Sequence, residues 1–275
     1  MKITNDNYFS KEAEMEYVTV SQIKAFCGTP ARVACEASAL AELRGDFKRN
    51  PTTALMIGSY VDSYFAGTLD KFKEEHPEII SSRGKTAGEL KTEYRQADAM
   101  IERAERDALF MKYVEGDTQV PLVGEIEGIP FKILIDSTDG RRITDLKTVK
   151  SISETYYVKD SGERVSFIEY WNYDLQGAAY QHIYEQNFGV KLPFYIAAIS
   201  KDKASDGTFH PRIAVIQIPQ AILDDRMVEI RRHVRKIQMI KSGEIEPINC
   251  GHCDFCADTL PLDRVILSDE LLLDI

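Results

Sequence analysis

Two acidic residues and a lysine lie close together in the segment ILIDSTDGRRITDLK, residues 133–147. Asp136 ends one short apolar run, Asp145 ends the next, and Lys147 follows two positions later. If the two runs are neighbouring strands joined by a turn, Asp136 and Asp145 meet across the ladder. Asp145 and Lys147 then share one face, because strand side chains alternate. Unpaired charges on a buried strand cost several kcal/mol, so the arrangement requires a salt bridge or a bound cation.

Converging carboxylates suit a hard cation such as Mg²⁺ or Mn²⁺, which binds oxygens and keeps positions open for water and phosphate. A cation held by Asp136 and Asp145 would polarise a phosphodiester and lower the pKa of a bound water. Lys147 would orient that water or offset charge in the transition state. This predicts metal-assisted phosphodiester hydrolysis. The alternative is a solvent-facing pair of Asp145 and Lys147, which would contribute less than about 1 kcal/mol.

Three cysteines separated by two-residue gaps form the segment CGHCDFC near the end of the chain. They are Cys250, Cys253 and Cys256. Three thiolates this close favour a tetrahedral zinc or a [4Fe–4S] cluster, and either needs a fourth ligand. His252 would be cramped between two ligating cysteines, which leaves Cys35 and Cys27 as donors from elsewhere in the chain. Free thiols are the alternative.

The elements that position these residues begin with helices. Residues 18–44 are predicted to form two helical pieces, capped at Ser21 and divided at Pro30. Apolar residues at helical spacing predict a helix over 55–66, and a charged helix is predicted over 91–112.

From residue 118 the pattern changes to strands. TQVPLVGEIEG, IPFKILIDSTDG and RRITDLKTV are separated by the turn signals EG and DG, which predicts an antiparallel meander. A helix over 168–187, ended by Gly189, two further strands in LPFYIAAIS and RIAVIQIP, and a helix over 220–242 follow.

This order predicts an α/β fold with a mixed central sheet flanked by helices and with helical N-terminal additions. The length of 275 residues favours one domain. Within it we expect a helical part over 18–115, a core of sheet and helices over 116–245, and a cysteine-containing tail over 246–275.

Composition and charge limit the class of protein. A hydrophobic content of 44% and a charged content of 28% are typical of a globular protein. The formal net charge of −10 argues against a protein that coats nucleic acid non-specifically. No apolar run is long enough to span a membrane, and the N-terminus lacks the apolar stretch of a signal peptide, so we expect a cytoplasmic location and no membrane partner.

Three motifs together resemble the PD-(D/E)XK nuclease superfamily, in its RecB-like branch, and specifically phage-type exonucleases related to the RecE nuclease domain. They are ILID ending at Asp136, DLK from Asp145 to Lys147, and LQGAAY with Gln176 and Tyr180. The resemblance implies a restriction-endonuclease-like core in which Gln176 touches the metal site or the scissile phosphate and Tyr180 supports DNA. Residues four apart share one helix face, so a helix that merely packs Tyr180 into the core is the alternative.

The same resemblance implies further metal ligands. The family commonly has a histidine in a G-x-x-x-H context, and this chain has GSYVD, with Asp62 in that place. An aspartate can also bind Mg²⁺, although Asp62 could instead be a solvated acid. Glu125 is a candidate because some members carry a glutamate on the first strand, and an exposed acid is its alternative.

For the cysteines, RecB-like nucleases with an iron–sulfur cluster combine one early cysteine with three late ones, which implies Cys35 as the fourth ligand. The last gap here is shorter than in the usual spacing. Zinc, a [4Fe–4S] cluster and an empty site therefore all stay open.

The resemblance implies a Mg²⁺-dependent DNA exonuclease that resects linear duplex ends during phage-type recombination, beside a single-strand annealing recombinase. Related exonucleases often assemble as rings, which makes a homo-oligomer an expectation. The alternatives are a CRISPR-adaptation-like nuclease, an endonuclease of the same superfamily, and an inactive DNA-binding or assembly module.

Overall fold

A mixed β-sheet organises the fold in the computed structural model, which describes residues 1–262, 264, 265, 267 and 268. The strands in this part of the chain are β1 (Asp117–Ile126), β2 (Ile129–Thr138), β3 (Ile143–Val149), β4 (Tyr156–Tyr157), β5 (Arg164–Val165), β6 (Phe194–Ser200) and β7 (Ile213–Gln217). Five of them form one sheet in the order β1-β2-β3-β6-β7, and β4 pairs with β5 in a separate ribbon. The first three strands are antiparallel, β3 and β6 are parallel, and β6 and β7 are antiparallel.

Helices precede the sheet and interrupt it. In chain order they are α1 (Lys11–Glu16), α2 (Val20–Cys27), α3 (Glu36–Arg44), α4 (Thr53–Phe65), α5 (Leu69–Glu75), α6 (Thr92–Glu105), α7 (Ala108–Val114), α8 (Phe167–Tyr170), α9 (Tyr173–Phe188), α10 (Gln220–Ser242) and α11 (Asp254–Thr259). Two 3₁₀ turns, Pro77–Ile79 and Gly84–Thr86, lie between α5 and α6. None of the helices described is long and apolar enough to span a bilayer.

The sheet buries both faces, because alternate side chains of the central strands enter different cores. Ile196 and Ala198 of β6 pack with α2, α9 and α10. Ala197 and Ile199, the intervening residues, pack with α4, α6 and α7. The result is a helix–sheet–helix layering that confirms the predicted α/β class with helical N-terminal additions.

Several predicted boundaries were wrong for local reasons. Helix α2 is capped by Thr19 rather than Ser21, since the Thr19 hydroxyl accepts the Gln22 amide at 3.2 Å. The charged helix predicted over 91–112 is two helices, because the side chain of Asp107 caps a new start by accepting the Phe110 amide.

The helix predicted over 168–187 is also divided. Asn172 adopts a left-handed backbone with φ 51° between α8 and α9, so the second helix starts at Tyr173. Gly189 ends α9 as predicted, with φ 69°.

Candidate active site and cysteine cluster

Strands β2 and β3 separate where the acidic residues begin. They pair only at Ser137 with Thr144 and at Thr138 with Ile143. Beyond these pairs the Asp136 Oδ2 accepts the backbone amide of Leu146 at 2.9 Å, so a side chain bonds β3 where the strand pairing stops. A small cleft lies there, with Asp136, Ser137 and Thr144 in its wall.

Asp145 is the most buried acid of the site, with 0% of its surface exposed. Its Oδ1 accepts a hydrogen bond of 2.6 Å from Gln176 Nε2, and its Oδ2 lies 2.7 Å from Lys147 Nζ. That ion-pair contact lacks hydrogen-bond alignment, so Oδ2 is a buried oxygen without a hydrogen-bond donor. The solvent-facing alternative for Asp145 and Lys147 is therefore wrong.

Lys147 is held as a cation. Burial favours its neutral form, but the carboxylates of Asp145 and Asp136 outweigh burial and raise the pKa of Lys147 above its usual value. The ammonium group therefore stays charged and can interact with a phosphate.

One glycine allows a helix to approach this part of the sheet closely. A Cβ on Gly177 would lie 2.5 Å from the Phe194 ring, so only glycine lets α9 pack this closely against β6 and bring Gln176 to Asp145. Gly58 of α4, one helical turn from Asp62, is different, because a Cβ there would be in ordinary contact, 3.4 Å from the Thr148 hydroxyl of β3.

Asp62 and Asp136 face one another across a small cavity of about 10 Å³, roughly the room that one water needs. Thr144 also lines it and has a buried Oγ1 without a hydrogen-bond partner. Burial, followed by repulsion from Asp145, raises the pKa of Asp62 to about 7 although Lys147 opposes the shift. Burial and the same carboxylate raise the pKa of Asp136 well above its usual range.

These features fit a divalent cation. Crowded carboxylates are stabilised when a cation compensates them, and the Oδ2 of Asp145, which has an ion-pair contact with Lys147 but no hydrogen-bond donor, offers a ligand atom. The oxygens of Asp62, Asp136 and Asp145 do not form a closed set, since within the described residues only a group of cysteines brings its ligand atoms within 4.8 Å of one another. A loose set suits Mg²⁺, which usually keeps several waters.

Tyr180 does not lie where DNA could rest on it. It is 9% exposed and belongs to the core cluster, with its ring edge-on to Phe194. Burial raises the pKa of its hydroxyl well above the usual range, followed by the nearby charges of Asp145 and Asp136. Tyr180 therefore supports the site from beneath, and the predicted DNA contact is wrong.

Glu125 is not part of the site. It is exposed and pairs with Pro130 at the opposite end of β2 from Asp136, and six residues of strand span roughly 20 Å. Its backbone amide and carbonyl both bond the Gln186 side chain, which ties the hairpin end to α9. The expectation of a metal ligand at Glu125 is wrong, because the register of β1 places it at the wrong end of the hairpin.

Two site residues were missed by the sequence analysis. Lys147 Nζ lies 5.2 Å from the centroid of the Tyr173 ring, and Lys24 Nζ lies 4.9 Å from the same ring. Burial, followed by repulsion from Lys147, lowers the pKa of Lys24 to about 7. Tyr173 could have been predicted from the sequence, because it lies one helical turn before Gln176. Lys24 gave none, because it reaches the site only through packing of α2.

The cysteine cluster joins the two ends of the described chain. Cys35, Cys250, Cys253 and Cys256 bring their sulfurs within 4.8 Å of one another. The Cys35 and Cys256 sulfurs are 3.7 Å apart and those of Cys250 and Cys256 are 3.9 Å apart. The structure thus brings together the four predicted ligands, whereas Cys27 and His252 are exposed and outside the group.

The spacing of the sulfurs fits one tetrahedral ion. Four Zn–S bonds of about 2.3 Å hold sulfurs roughly 3.8 Å apart, whereas a cubane of irons and sulfides between the thiolates would hold them farther apart. Backbone amides of His252 and Cys253 donate to the Cys250 sulfur at 3.4 Å. These amides outweigh burial and lower the pKa of Cys250 to about 6, so it is poised as a thiolate.

This chain resembles known proteins in sequence and in structure. The family model described as "PDDEXK-like domain of unknown function (DUF3799)" matches residues 19–259. A crystal structure from Eubacterium rectale, described as "Putative exonuclease", is 40% identical to this chain and superposes with a TM-score of 0.92, over 100% of both chains. No curated protein sequence matches the chain.

Proposed function

The chain belongs to the family of PDDEXK-like domains, and on that premise we propose that it is a metal-dependent deoxyribonuclease. Membership confirms the resemblance to the PD-(D/E)XK superfamily and the restriction-endonuclease-like α/β fold. The proposal rests on the contacts of Asp145, whose two carboxylate oxygens have different partners. Gln176 fixes Oδ1 at 2.6 Å, and Oδ2 is left beside Lys147 without a hydrogen-bond donor.

Each residue of the site has its own role in the proposed hydrolysis. Asp62, Asp136 and Asp145 would hold the divalent cation, which when bound polarises the phosphodiester and lowers the pKa of a water. Gln176 keeps Asp145 oriented toward the cleft, and the bond from the Leu146 amide does the same for Asp136. Lys147, kept charged by its neighbours, stabilises negative charge on the phosphate as the bond breaks.

The substrate proposed is DNA, hydrolysed from its ends. The relative from Eubacterium rectale is described as a "Putative exonuclease", which favours an exonuclease over an endonuclease. A role in resecting linear duplex ends for phage-type recombination, beside a single-strand annealing recombinase, is the setting that we propose. A CRISPR-adaptation-like nuclease or an inactive DNA-binding module are the competing functions.

The experiment compares linear duplex DNA with covalently closed circular DNA of the same sequence, in Mg²⁺, Mn²⁺ or EDTA. We expect mononucleotides or short oligonucleotides from the linear DNA in either metal, and intact circles. Nicked or linearised circles would instead indicate an endonuclease. Cleavage that persists in EDTA, or no cleavage in either metal, would refute the proposal.

We further propose that the cysteine cluster holds a structural zinc ion. The sulfur spacing described above supports zinc over a [4Fe–4S] cluster. Four ligands leave no open position, as in structural zinc sites, and reduced cysteines suit a cytoplasmic protein. Elemental analysis of anaerobically purified protein should give zinc in equimolar amount with no visible absorption band. Equimolar or greater iron with such a band would instead assign a cluster.

A further inference from the structure

The segment that connects the catalytic strand to the catalytic helix is rich in aromatic residues. It runs over residues 150–172, between Lys147 of β3 and Gln176 of α9. Its aromatic residues, with the one that opens α9, are Tyr156, Tyr157, Phe167, Tyr170, Trp171 and Tyr173. Because residues of the site lie just before and just after it, both ends of the segment lie close to the site.

Three of these rings form a continuous row, the aromatic row of Tyr156, Tyr170 and Trp171. The rings of Tyr156 and Tyr170 are stacked, with centroids 4.5 Å apart and planes inclined by 19°. The ring of Trp171 meets Tyr170 edge-on at 5.3 Å. Trp171 is 41% exposed, whereas the two tyrosines are half-buried. The row thus ends in a large exposed ring supported by two others.

Tyr173 brings this segment close to the catalytic residues. The centroid of its ring lies 5.2 Å from the Lys147 ammonium, and the ring meets that of Phe167 edge-on at 6.3 Å. Burial raises the pKa of Tyr173, Lys147 opposes the shift, and Asp145 and then Tyr156 add to it. Tyr173 therefore lies near both Lys147 of the site and Tyr156 of the row.

Asn172, between Trp171 and Tyr173, has a buried polar atom that packing alone does not explain. Its left-handed backbone, with φ 51°, is one that asparagine adopts more readily than most residues other than glycine. It is 5% exposed, and its Oδ1 is buried without a hydrogen-bond partner. A buried polar atom without a partner requires an explanation, and a bound ligand is one.

We propose that the aromatic row is a stacking platform for the unpaired bases of a single-stranded DNA end beside the active site. This inference rests on the proposed nuclease function. It specifies that the DNA is single-stranded at the point of cleavage. Unpaired bases stack on aromatic side chains regardless of sequence, whereas a duplex hides its base faces in its own stack.

The charges near the row favour the same occupant. Lys24 and Lys147 lie against the Tyr173 ring, 4.9 Å and 5.2 Å from its centroid. Lys147 is held charged by its neighbouring carboxylates, and a cation beside stacking rings is the combination that single-strand binding uses, the rings for bases and the cation for phosphates.

Trp171 supplies the test, because it is the sole tryptophan of the chain. Its fluorescence is measured in the Asp145→Asn variant with EDTA, so that no cleavage occurs, during titration with a deoxythymidine oligonucleotide, a blunt duplex, or a duplex with a single-stranded tail. We expect saturable quenching by the single strand and the tailed duplex, and little by the blunt duplex. Equal quenching by the blunt duplex, or none by the single strand, would overturn the platform.

Binding of a labelled single strand to Trp171→Leu and Tyr170→Leu gives an independent measurement. The control is Phe188→Leu, at the opposite end of α9 and about 24 Å away, whose ring is also exposed, at 55%. We expect roughly tenfold weaker binding for the first two and unchanged binding for the control, with similar melting temperatures. Equal affinities in all three would refute the inference.

The two proposals can fail separately. Cleavage by the native chain without tryptophan quenching would remove the platform and leave the nuclease. Quenching by single strands without any cleavage would keep the platform and refute the nuclease.

Discussion

The carboxylate site and the cysteine cluster arrange their ligand atoms in opposite ways. In the cluster, four sulfurs lie within 4.8 Å of one another, two of the cysteines are buried, and the four ligands would fill the coordination of one tetrahedral ion. In the carboxylate site, Asp62, Asp136 and Asp145 are less tightly grouped, and one oxygen has no hydrogen-bond donor. The contrast follows the division between structural sites, which are closed, and catalytic sites, which keep an open position.

The groups that surround the two sites also differ. Backbone amides stabilise the Cys250 thiolate, which favours permanent binding of a metal ion by the cluster. The carboxylates instead raise the pKa values of one another, which makes the site unstable until a cation arrives. We therefore propose that a metal at the cysteines stabilises the fold and that a metal at the carboxylates takes part in catalysis. Asp145→Asn and Cys256→Ser separate these two roles.

The largest effect is expected for Asp145→Asn. The substitution keeps the shape and the acceptor for Gln176 but removes the charge, so the rate of DNA cleavage in a single turnover should fall at least about 1000-fold, roughly 4 kcal/mol. The melting temperature should change less than for loss of a cysteine ligand, because the broken ion pair with Lys147 is offset by relief of the repulsion between Asp145 and the carboxylates of Asp62 and Asp136. A loss of less than about tenfold would contradict the role of Asp145.

Cys256→Ser should have the reverse profile. Loss of one ligand opens the cluster and should lower the free energy of unfolding by about 3 kcal/mol, measured by chemical denaturation. At a temperature where the variant stays folded, its cleavage rate should stay within a few-fold of the native rate. Cys27→Ser, outside the cluster, is the matched control and should unfold like the native chain. A fully stable Cys256→Ser would refute a structural metal.

Gly177→Ala should affect both properties. The added Cβ would meet the Phe194 ring at 2.5 Å, so α9 must move and carry Gln176 away from Asp145. We expect a loss of about 2 kcal/mol of stability and a lower cleavage rate at saturating Mg²⁺. Gly58→Ala is the control, since its Cβ would be in ordinary contact at 3.4 Å. Equal behaviour of both variants would argue against the packing role of Gly177.

The pH dependence of Mg²⁺ binding should report Asp62. Because its pKa is raised to about 7, a proton competes with the cation below that pH, and the Mg²⁺ needed for half-maximal cleavage should rise about tenfold per unit of falling pH. In the metal-free protein, stability should fall as the pH rises from about 4 to about 7, since the folded chain holds this proton more tightly than the unfolded chain. Asp62→Asn should flatten both dependences, and an unchanged profile in that variant would exclude Asp62 as their source.

The smallest effect is expected for Glu125→Gln. This acid is exposed at the far end of β2 from the site, so cleavage and stability should change by less than about 0.5 kcal/mol. Cleavage rates over a Mg²⁺ titration test this, and a shifted Mg²⁺ requirement would return Glu125 to the metal site.

Local sequence patterns predicted most of the fold and the residues at the centre of the candidate active site. The order of elements, the end of α9 at Gly189, and the pairing of Asp145 with Lys147 all follow from period, turn chemistry and alternation. These features depend on residues that are close in the chain, so their signals are complete in a short stretch.

The remainder depends on tertiary packing. Lys24 reaches Tyr173 because α2 packs beside α9, and nothing in its own helix signals that contact. Tyr180 has the spacing of a DNA-facing residue, but the close approach of α9 to β6 buries it. The break at Asn172 requires a left-handed backbone that asparagine tolerates but does not dictate.

We propose that the cysteines hold a structural metal and the carboxylates a catalytic one. The most direct test measures zinc content, cleavage and melting temperature in the same EDTA-dialysed sample. We predict that zinc stays bound in equimolar amount, that the melting temperature is preserved, and that cleavage of linear DNA is lost and then restored by Mg²⁺ alone. Cleavage that survives dialysis, or that returns only with added zinc, would contradict the assignment of chemistry to the carboxylates and of structure to the cysteines.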